Sequence, residues 1–197
     1  SSGHIIASAL DTVGVLFEDY PAYGTRFSEE EGAGRRRAER LLGMLMKGTA
    51  GIDAGTRQEA MYLLGRHVFG SLTLDEQAKC RAFRLTVRRI LALCVGERVD
   101  SLSFYYRAAM LGRLYRFVVE QELLHGGIAF DRPRPIAFFP GTFDPFTLSH
   151  KGIVRSIRDA GFEVLLAIDE FSWSKRTQPY RIRREIAAMS VADEFHV

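Results

Sequence analysis

The chain has 197 residues, of which 47% are hydrophobic and 26% charged, and its formal net charge is +3 at pH 7. These values are typical of a globular protein with one large or two small domains. The charge is too small to indicate nucleic-acid binding and at most suits an anionic small molecule. No apolar run approaches the roughly 20 residues of a membrane span, and the N-terminal sequence lacks the pattern of a signal peptide. We therefore expect a cytoplasmic protein that binds neither nucleic acid nor membranes.

Five amphipathic helices are predicted for the first 130 residues, because apolar side chains recur there at helical spacing. A loop is predicted from Glu18 to Gly34, which holds a proline, three glycines and an acidic run. The helices are predicted over residues 4–18, from Ala38 to Gly48, from Thr56 to Gly70, from Thr73 to Cys94, and from Asp100 or Ser101 to Gly126. Together they predict an all-α helical domain over residues 1–130.

Two features of this helical domain bear on its chemistry. Cys80 and Cys94 are the only cysteines, and their helical context indicates reduced thiols in or near the core rather than a disulfide framework or a zinc site. Arg81, Arg84 and Arg88 lie on one face of the fourth helix, which is typical of a solvated face, with a partner surface as the alternative. The domain matches no motif with an assigned function, and a homo-oligomer formed through it is one expectation.

The composition changes at residues 131–135, which read DRPRP and predict a stiff, polar linker. Beyond the linker, the pattern alternates between strands and helices. Strands are predicted at 136–139 and 164–168, helices at about 148–160 and 181–192, and the first residues of a third strand at 195–197. This alternation predicts a parallel α/β sheet with right-handed crossovers over residues 136–197.

The stretch from Ile136 to His150 reads IAFFPGTFDPFTLSH. It combines an apolar strand, a tight turn and the start of a helix, an arrangement that presents backbone N–H groups to a phosphate. His150 falls in the first turn of that helix, where an imidazole can reach an anion held at the helix N-terminus.

The segment GTFDPFTLSH, residues 141–150, resembles the signature of the nucleotidyltransferase superfamily with the (H/T)xGH motif, which includes adenylyltransferases and cytidylyltransferases. The segment SWSKR, residues 172–176, is similar to the lysine-bearing loop after the second strand of that family. The resemblance covers about the last third of the chain. It implies a Rossmann-like parallel-sheet nucleotidyltransferase domain that is incomplete at its C-terminus, since only the first of its two βαβαβ halves is present. We therefore expect that Val197 is not the natural C-terminus.

The resemblance also implies a reaction. A nucleoside monophosphate, AMP from ATP rather than CMP from CTP, would pass to a small phosphorylated acceptor such as a pantetheine phosphate or nicotinate mononucleotide, with release of pyrophosphate. Mg²⁺ is expected to accompany the nucleoside triphosphate. The motifs do not choose between the two acceptors, and CTP stays open.

The family's functional residues carry over onto matching positions. His150 would donate to the α-phosphate and Lys175 would neutralise the acceptor phosphate, which makes these two the expected catalytic residues. The expected nucleotide-binding residues are Gly141, Thr142, Phe143, Thr147 and His150. The expected acceptor-binding residues are Thr142, Trp173, Lys175 and Arg176. For Thr147, capping of the helix is the structural alternative to phosphate binding.

Other residues near the motif have more than one interpretation. Asp144 is expected to shape the turn, because a carboxylate beside a triphosphate is electrostatically unfavourable. Arg181, Arg183 and Arg184 open the last helix, where cations oppose the helix dipole. They indicate either a nearby anion or a solvated basic face.

Two alternatives to an enzyme follow from the same sequence. Ser149 stands where the family carries glycine, and this difference favours a degenerate protein that binds a nucleotide without turnover. The second alternative is an interaction or oligomerisation module formed by the helices, with the α/β part as a scaffold.

Overall fold

A computed structural model of the chain describes residues 2–26, 32–95, 101–171 and 176–197. The chain divides into two units, Ser1–Phe130 and Asp131–Val197. The first unit contains α1 (Ser2–Arg26), α2 (Ala33–Thr49), α3 (Ala54–Leu63), a π-helical segment (Leu64–Phe69), α4 (Glu76–Val95) and α5 (Ser101–His125). The second contains β1 (Ile136–Gly141), α6 (Leu148–Asp159), β2 (Glu163–Ile168) and α7 (Tyr180–Ser190).

The core of the helical unit is centred on three aromatic rings. Phe69 of the π-helical segment lies 6.4 Å from the ring of Phe83 on α4 and 5.7 Å from the ring of Phe117 on α5. All three side chains are buried. Aromatic pairs at these distances add to the stabilisation that comes from burial of their apolar area, so the π-helical segment joins α4 and α5.

The first helix is longer than predicted. It continues past Glu18 to Arg26. Residues 27–31 of the predicted loop lie outside the described residues, and Ala33 and Gly34 belong to α2, which begins before the predicted Ala38. A long-range contact holds α1 at the residue where the sequence predicts its end, because Glu18 Oε2 lies 2.5 Å from Nδ1 of the buried His67. This contact stabilises α1 where the local sequence indicates a loop.

The third helix begins at Ala54, two residues earlier than predicted. Asp53 is the N-cap of α3, and its carboxylate accepts the Thr56 N–H at 2.7 Å and the Thr56 hydroxyl at 2.9 Å. These hydrogen bonds hold the pKa of the Asp53 carboxyl below its usual value. Because the folded pKa is depressed, the contribution of Asp53 to stability is present above its unfolded pKa and is lost as the pH falls through the folded pKa.

The second unit is built on two parallel strands. Ile136 lies opposite Glu163, and the register continues to Gly141 opposite Ile168. Its buried residues form one apolar cluster to which β2, α6, α7 and the loop after β1 contribute. The members of this cluster are Phe143, Phe146, Val154, Val164, Ala187 and Val191.

The prediction of a Rossmann-like parallel-sheet domain is wrong. The protein is mostly helical, and the described residues form only a two-stranded sheet. The predicted third strand at 195–197 is not formed, although the Val164 N–H of β2 donates to the His196 carbonyl oxygen at 2.8 Å.

The charge on Glu194 gives a physical reason for the missing strand. The buried Glu194 carboxylate accepts hydrogen bonds from Arg155 (2.6 Å) and Arg158, and Lys151 Nζ lies 3.5 Å away. All three cations belong to α6. They hold the chain after α7 against α6, and a buried carboxylate needs such partners.

Cys80 and Cys94 are free and partly buried. Burial raises the pKa of both thiols above the usual value, which favours their neutral form. The interpretation as reduced thiols near the core is confirmed.

In the part of the chain that the structure describes, no helix is both long enough and apolar enough to cross a membrane. The cytoplasmic location stays a prediction.

Gly14 and Gly112 provide a matched test of helix packing. A Cβ on Gly14 of α1 would lie 2.5 Å from Cδ2 of the buried His67 ring, whereas a Cβ on Gly112 of α5 meets nothing within 4 Å. We expect Gly14→Ala to lower the free energy of unfolding by about 1–3 kcal/mol. Gly112→Ala is expected to raise it by about 0.5–1 kcal/mol. Urea unfolding followed by far-ultraviolet circular dichroism measures both changes. An unchanged free energy of unfolding in Gly14→Ala would contradict the packing around His67.

Candidate functional site

The candidate site begins where the two strands end. Because β1 and β2 are parallel and in register, Gly141 and Ile168 finish at the same edge of the sheet. The next residue of each strand contacts the other, since the Thr142 hydroxyl donates to Asp169 Oδ2 at 3.3 Å. The Asp169 N–H donates to the Gly141 carbonyl oxygen at 3.1 Å. The two loops therefore start side by side.

Phe143 shapes the loop between β1 and α6. Its backbone has a φ of 45°, a left-handed conformation that a non-glycine residue rarely adopts. Its ring is only 4% exposed and lies 5.2 Å from the rings of Phe146 and His150. Burial of the ring offsets the cost of the backbone conformation, and it places an apolar wall beside the imidazole.

Thr147 and His150 form a capping box at the N-terminus of α6. The Thr147 hydroxyl accepts the His150 N–H at 3.5 Å, while the Thr147 N–H donates to Nδ1 of His150 at 2.9 Å. Each residue thus satisfies a backbone donor of the other, as in the common Ser/Thr–Glu capping box. The prediction that Thr147 caps the helix is confirmed, and its role in phosphate binding stays a prediction.

The capping box determines which nitrogen of His150 carries the proton. Nδ1 accepts the Thr147 N–H, so in the neutral ring it has no proton of its own, and the proton lies on Nε2. Within the described residues, Nε2 of His150 has no hydrogen-bond partner. His150 therefore presents a hydrogen-bond donor at the helix N-terminus, where the helix dipole favours an anion.

Arg183 lies underneath the two loops and is fully buried. Its guanidinium donates to four main-chain carbonyl groups. These belong to Thr142 (2.5 Å), Asp169 (2.8 Å), Glu170 (3.1 Å) and Gln178 (2.8 Å). One side chain thus joins the loop after β1, the loop after β2 and the segment before α7.

The interpretation of the basic residues of α7 as a solvated face does not describe Arg183, which is buried, whereas the alternative of a nearby anion stays a prediction. Arg181 pairs with Glu185 at 3.0 Å, and Arg184 is exposed. Asp144 acts on the same segment from the other side, because its Oδ2 accepts the Gln178 N–H at 2.9 Å. The carboxylate thus holds a segment 34 residues away, whereas its predicted role in shaping the local turn stays a prediction.

The structure brings five of the predicted site residues together around the end of β1. They are Gly141, Thr142, Phe143, Thr147 and His150. Trp173 and Lys175 lie outside the described residues. Arg176 is exposed at the start of the segment that leads to α7. Ser149 is also exposed, in the first turn of α6.

Arg183, Asp169 and Gln178 were not predicted to contribute to the site. The spacing of the sequence could have predicted the position of Arg183, because Arg183 stands four residues before the buried Ala187 and eight before the buried Val191. Positions four apart share one face of a helix, so this pattern places Arg183 on the buried face. Asp169 and Gln178 act through contacts across 27 and 34 residues, for which the sequence has no local signal.

Comparison with protein-family models, curated proteins and solved structures found no match. Among the residues described, no group of three or more His, Cys, Asp or Glu side chains is arranged to hold a metal ion.

Gly141→Ala tests the packing of the site. A Cβ at Gly141 would lie 2.9 Å from two carbon atoms of the Phe143 ring, so the ring must move. We expect a loss of about 1–3 kcal/mol in the free energy of unfolding and a changed chemical shift of the His150 ring protons. Gly152→Ala on α6, where a Cβ meets nothing within 4 Å, is the matched control. Unchanged His150 shifts in Gly141→Ala would contradict the contact between the two rings.

Proposed function

We propose that the loop between β1 and α6 binds a nucleoside triphosphate and transfers its nucleoside monophosphate, AMP from ATP, to a small phosphorylated acceptor. The observation that carries this proposal is the capping box, which leaves Nε2–H of His150 as a donor at the N-terminus of α6. The resemblance of residues 141–150 to the (H/T)xGH motif supports the same chemistry.

The reaction is a single displacement at phosphorus. A phosphate oxygen of the acceptor forms a bond to the α-phosphorus, and the bond from that phosphorus to the oxygen bridging the α- and β-phosphates breaks. Pyrophosphate leaves with the bonding electron pair, and its charge is balanced by the Mg²⁺ that enters with the triphosphate. The protein's part is to align the two anions and to stabilise the charge on the α-phosphate.

His150 is suited to the second task. A donor that is already oriented costs no reorganisation when charge develops, and one such donor is worth about 10²–10³ in rate. The Thr147 N–H fixes the imidazole orientation through Nδ1, and Phe143 limits its movement from the side. In this proposal Nε2–H donates to an oxygen of the α-phosphate.

Thr142 is suited to the acceptor side, because it lies at the end of β1 and next to the loop after β2. Trp173, Lys175 and Arg176 follow β2 in the sequence, and their roles toward the acceptor phosphate stay predictions from the resemblance. Gly141 makes room for the Phe143 ring beneath the loop.

His150→Asn separates donation from capping. The Asn side-chain oxygen can still accept the Thr147 N–H, but the variant lacks the Nε2 donor. We expect α6 to stay intact by circular dichroism, and transfer from MgATP to fall by about 10²–10³. Pyrophosphate release is the measurement, with pantetheine phosphate and nicotinate mononucleotide as acceptors and MgCTP as the alternative donor.

His150→Ala is the comparison variant, because it removes both the donor and the cap. Equal turnover of the wild type and His150→Asn would contradict the assigned role of Nε2. If the wild type releases no pyrophosphate, calorimetric titration with MgATP and MgCTP decides whether the site binds a nucleotide at all.

Nucleotide binding without turnover is the second candidate function. The exposed Ser149 favours it, because it lies in the first turn of α6, next to His150 in the sequence, where the resembled family carries glycine. A glycine there would let the phosphates approach the backbone more closely.

Ser149→Gly distinguishes the two candidates. If the protein has lost turnover through this position, the variant should release pyrophosphate at least about tenfold faster than the wild type, since close approach restores transition-state contacts. Affinity for MgATP, measured by calorimetry, should change less than the rate. An active wild type that the substitution does not accelerate would favour the enzyme.

A further inference from the structure

We infer that Arg183 is a positioning residue that holds the acceptor side of the site in place, while the capped N-terminus of α6, which presents His150 to the nucleotide, does not depend on it. The inference rests on the proposed function only where it calls one side of the site the acceptor side and the other the nucleotide side. Its structural content, that one buried side chain orders only one side of the site, can be tested without turnover.

The hydrogen bonds of Arg183 reach the loops that follow the two strands and the segment before α7, but not the capped N-terminus of α6. They run to the carbonyl oxygens of Thr142, Asp169, Glu170 and Gln178, from three segments that are separate in sequence. None of these bonds goes to α6. A guanidinium has five N–H donors in a planar fork, so it can satisfy several acceptors at once, which an ammonium group cannot reproduce.

The nucleotide side is held by other contacts. Thr147 and His150 cap each other, and the Lys151 N–H donates to the Thr147 carbonyl oxygen at 3.1 Å. The Lys151 side chain is buried and pairs with Asp193 at 2.5 Å. The N-terminus of α6 therefore has its own support, so loss of the Arg183 bonds should leave it in place.

The charge of Arg183 adds to this role. In the described part of the chain, no carboxylate lies within 4.0 Å of its guanidinium. Carbonyl dipoles satisfy its donors without cancelling its net charge. A buried cation in this position favours a bound anion at the loop surface above it, and the phosphate of the acceptor is the anion that the proposed reaction places on that side.

Arg183→Lys is the test variant, and Arg184→Lys is the matched control, because Arg184 is the exposed neighbour on the same helix. Amide hydrogen exchange is followed by NMR at the N–H groups of Gln178 and Asp169, which bond to Asp144 Oδ2 and to the Gly141 carbonyl oxygen. The Lys151 N–H reports on α6. Affinity for MgATP is measured by calorimetry on the same samples.

In Arg183→Lys we expect exchange at Gln178 and Asp169 to accelerate by about tenfold or more, because lost hydrogen bonds to a charged group lower the local opening free energy. Exchange at Lys151 and the MgATP dissociation constant should stay within about twofold of the wild type. Where turnover is measurable, KM for the acceptor should rise about tenfold with KM for MgATP unchanged. Arg184→Lys should change none of these quantities.

Three results would overturn the inference. They are unchanged exchange at Gln178 and Asp169, equal acceleration at Lys151, and a loss of MgATP affinity as large as the loss for the acceptor. If the wild type binds no MgATP, the proposed function fails, and the exchange pattern alone decides the inference. If Arg183→Lys does not fold, the Nε–H and Nη–H signals of the wild type decide it. Slow solvent exchange of the Arg183 signals supports the inference, and exchange as fast as that of Arg184 overturns it.

Discussion

Parallel pairing of β1 and β2 brings Thr142 and Asp169 together, and the rest of the candidate site depends on that pairing. Two strands alone provide little sheet, and a parallel ladder normally needs cover on both faces. In this unit the buried guanidinium of Arg183 supplies cross-links that further strands would otherwise supply, since it ties the two loops to the start of α7. The positions of the two loops thus depend on the Arg183 side chain rather than on a wider sheet.

Local patterns in the sequence were sufficient for some elements. The apolar run before Pro140 predicts β1, and Thr147 predicts the start of α6, because both signals act over a few residues. The number of strands was overestimated because a local pattern was again the only signal. The segment from Phe195 to Val197 resembles the start of a strand, but the contacts of Glu194 with α6 determine its path, and those contacts span 36 to 43 residues.

Some features of the site could be predicted from the sequence and others could not. The placement of His150 in the first turn of a helix follows from the sequence, whereas the proton on Nε2 requires the coordinates, because it depends on a hydrogen bond to Nδ1. In the helical unit, the contact between Glu18 and His67 lengthens α1 beyond its local signals. The contact between Glu18 and His67 joins parts of the chain that local periodicity treats separately, whereas the bond between Thr147 and His150 is local but depends on a side-chain geometry that periodicity does not specify.

The hydrogen bond from the Thr147 N–H to His150 restricts the evolution of position 147 in an unusual way. Any residue except proline supplies that N–H, so many side chains there would preserve the orientation of the imidazole even where the hydroxyl cap is lost. Proline is well tolerated around helix starts elsewhere, yet at this position it would free Nδ1 and let the ring turn. Substitutions at position 147 should therefore include many different side chains and exclude only proline. A requirement for helix capping alone would not produce this pattern.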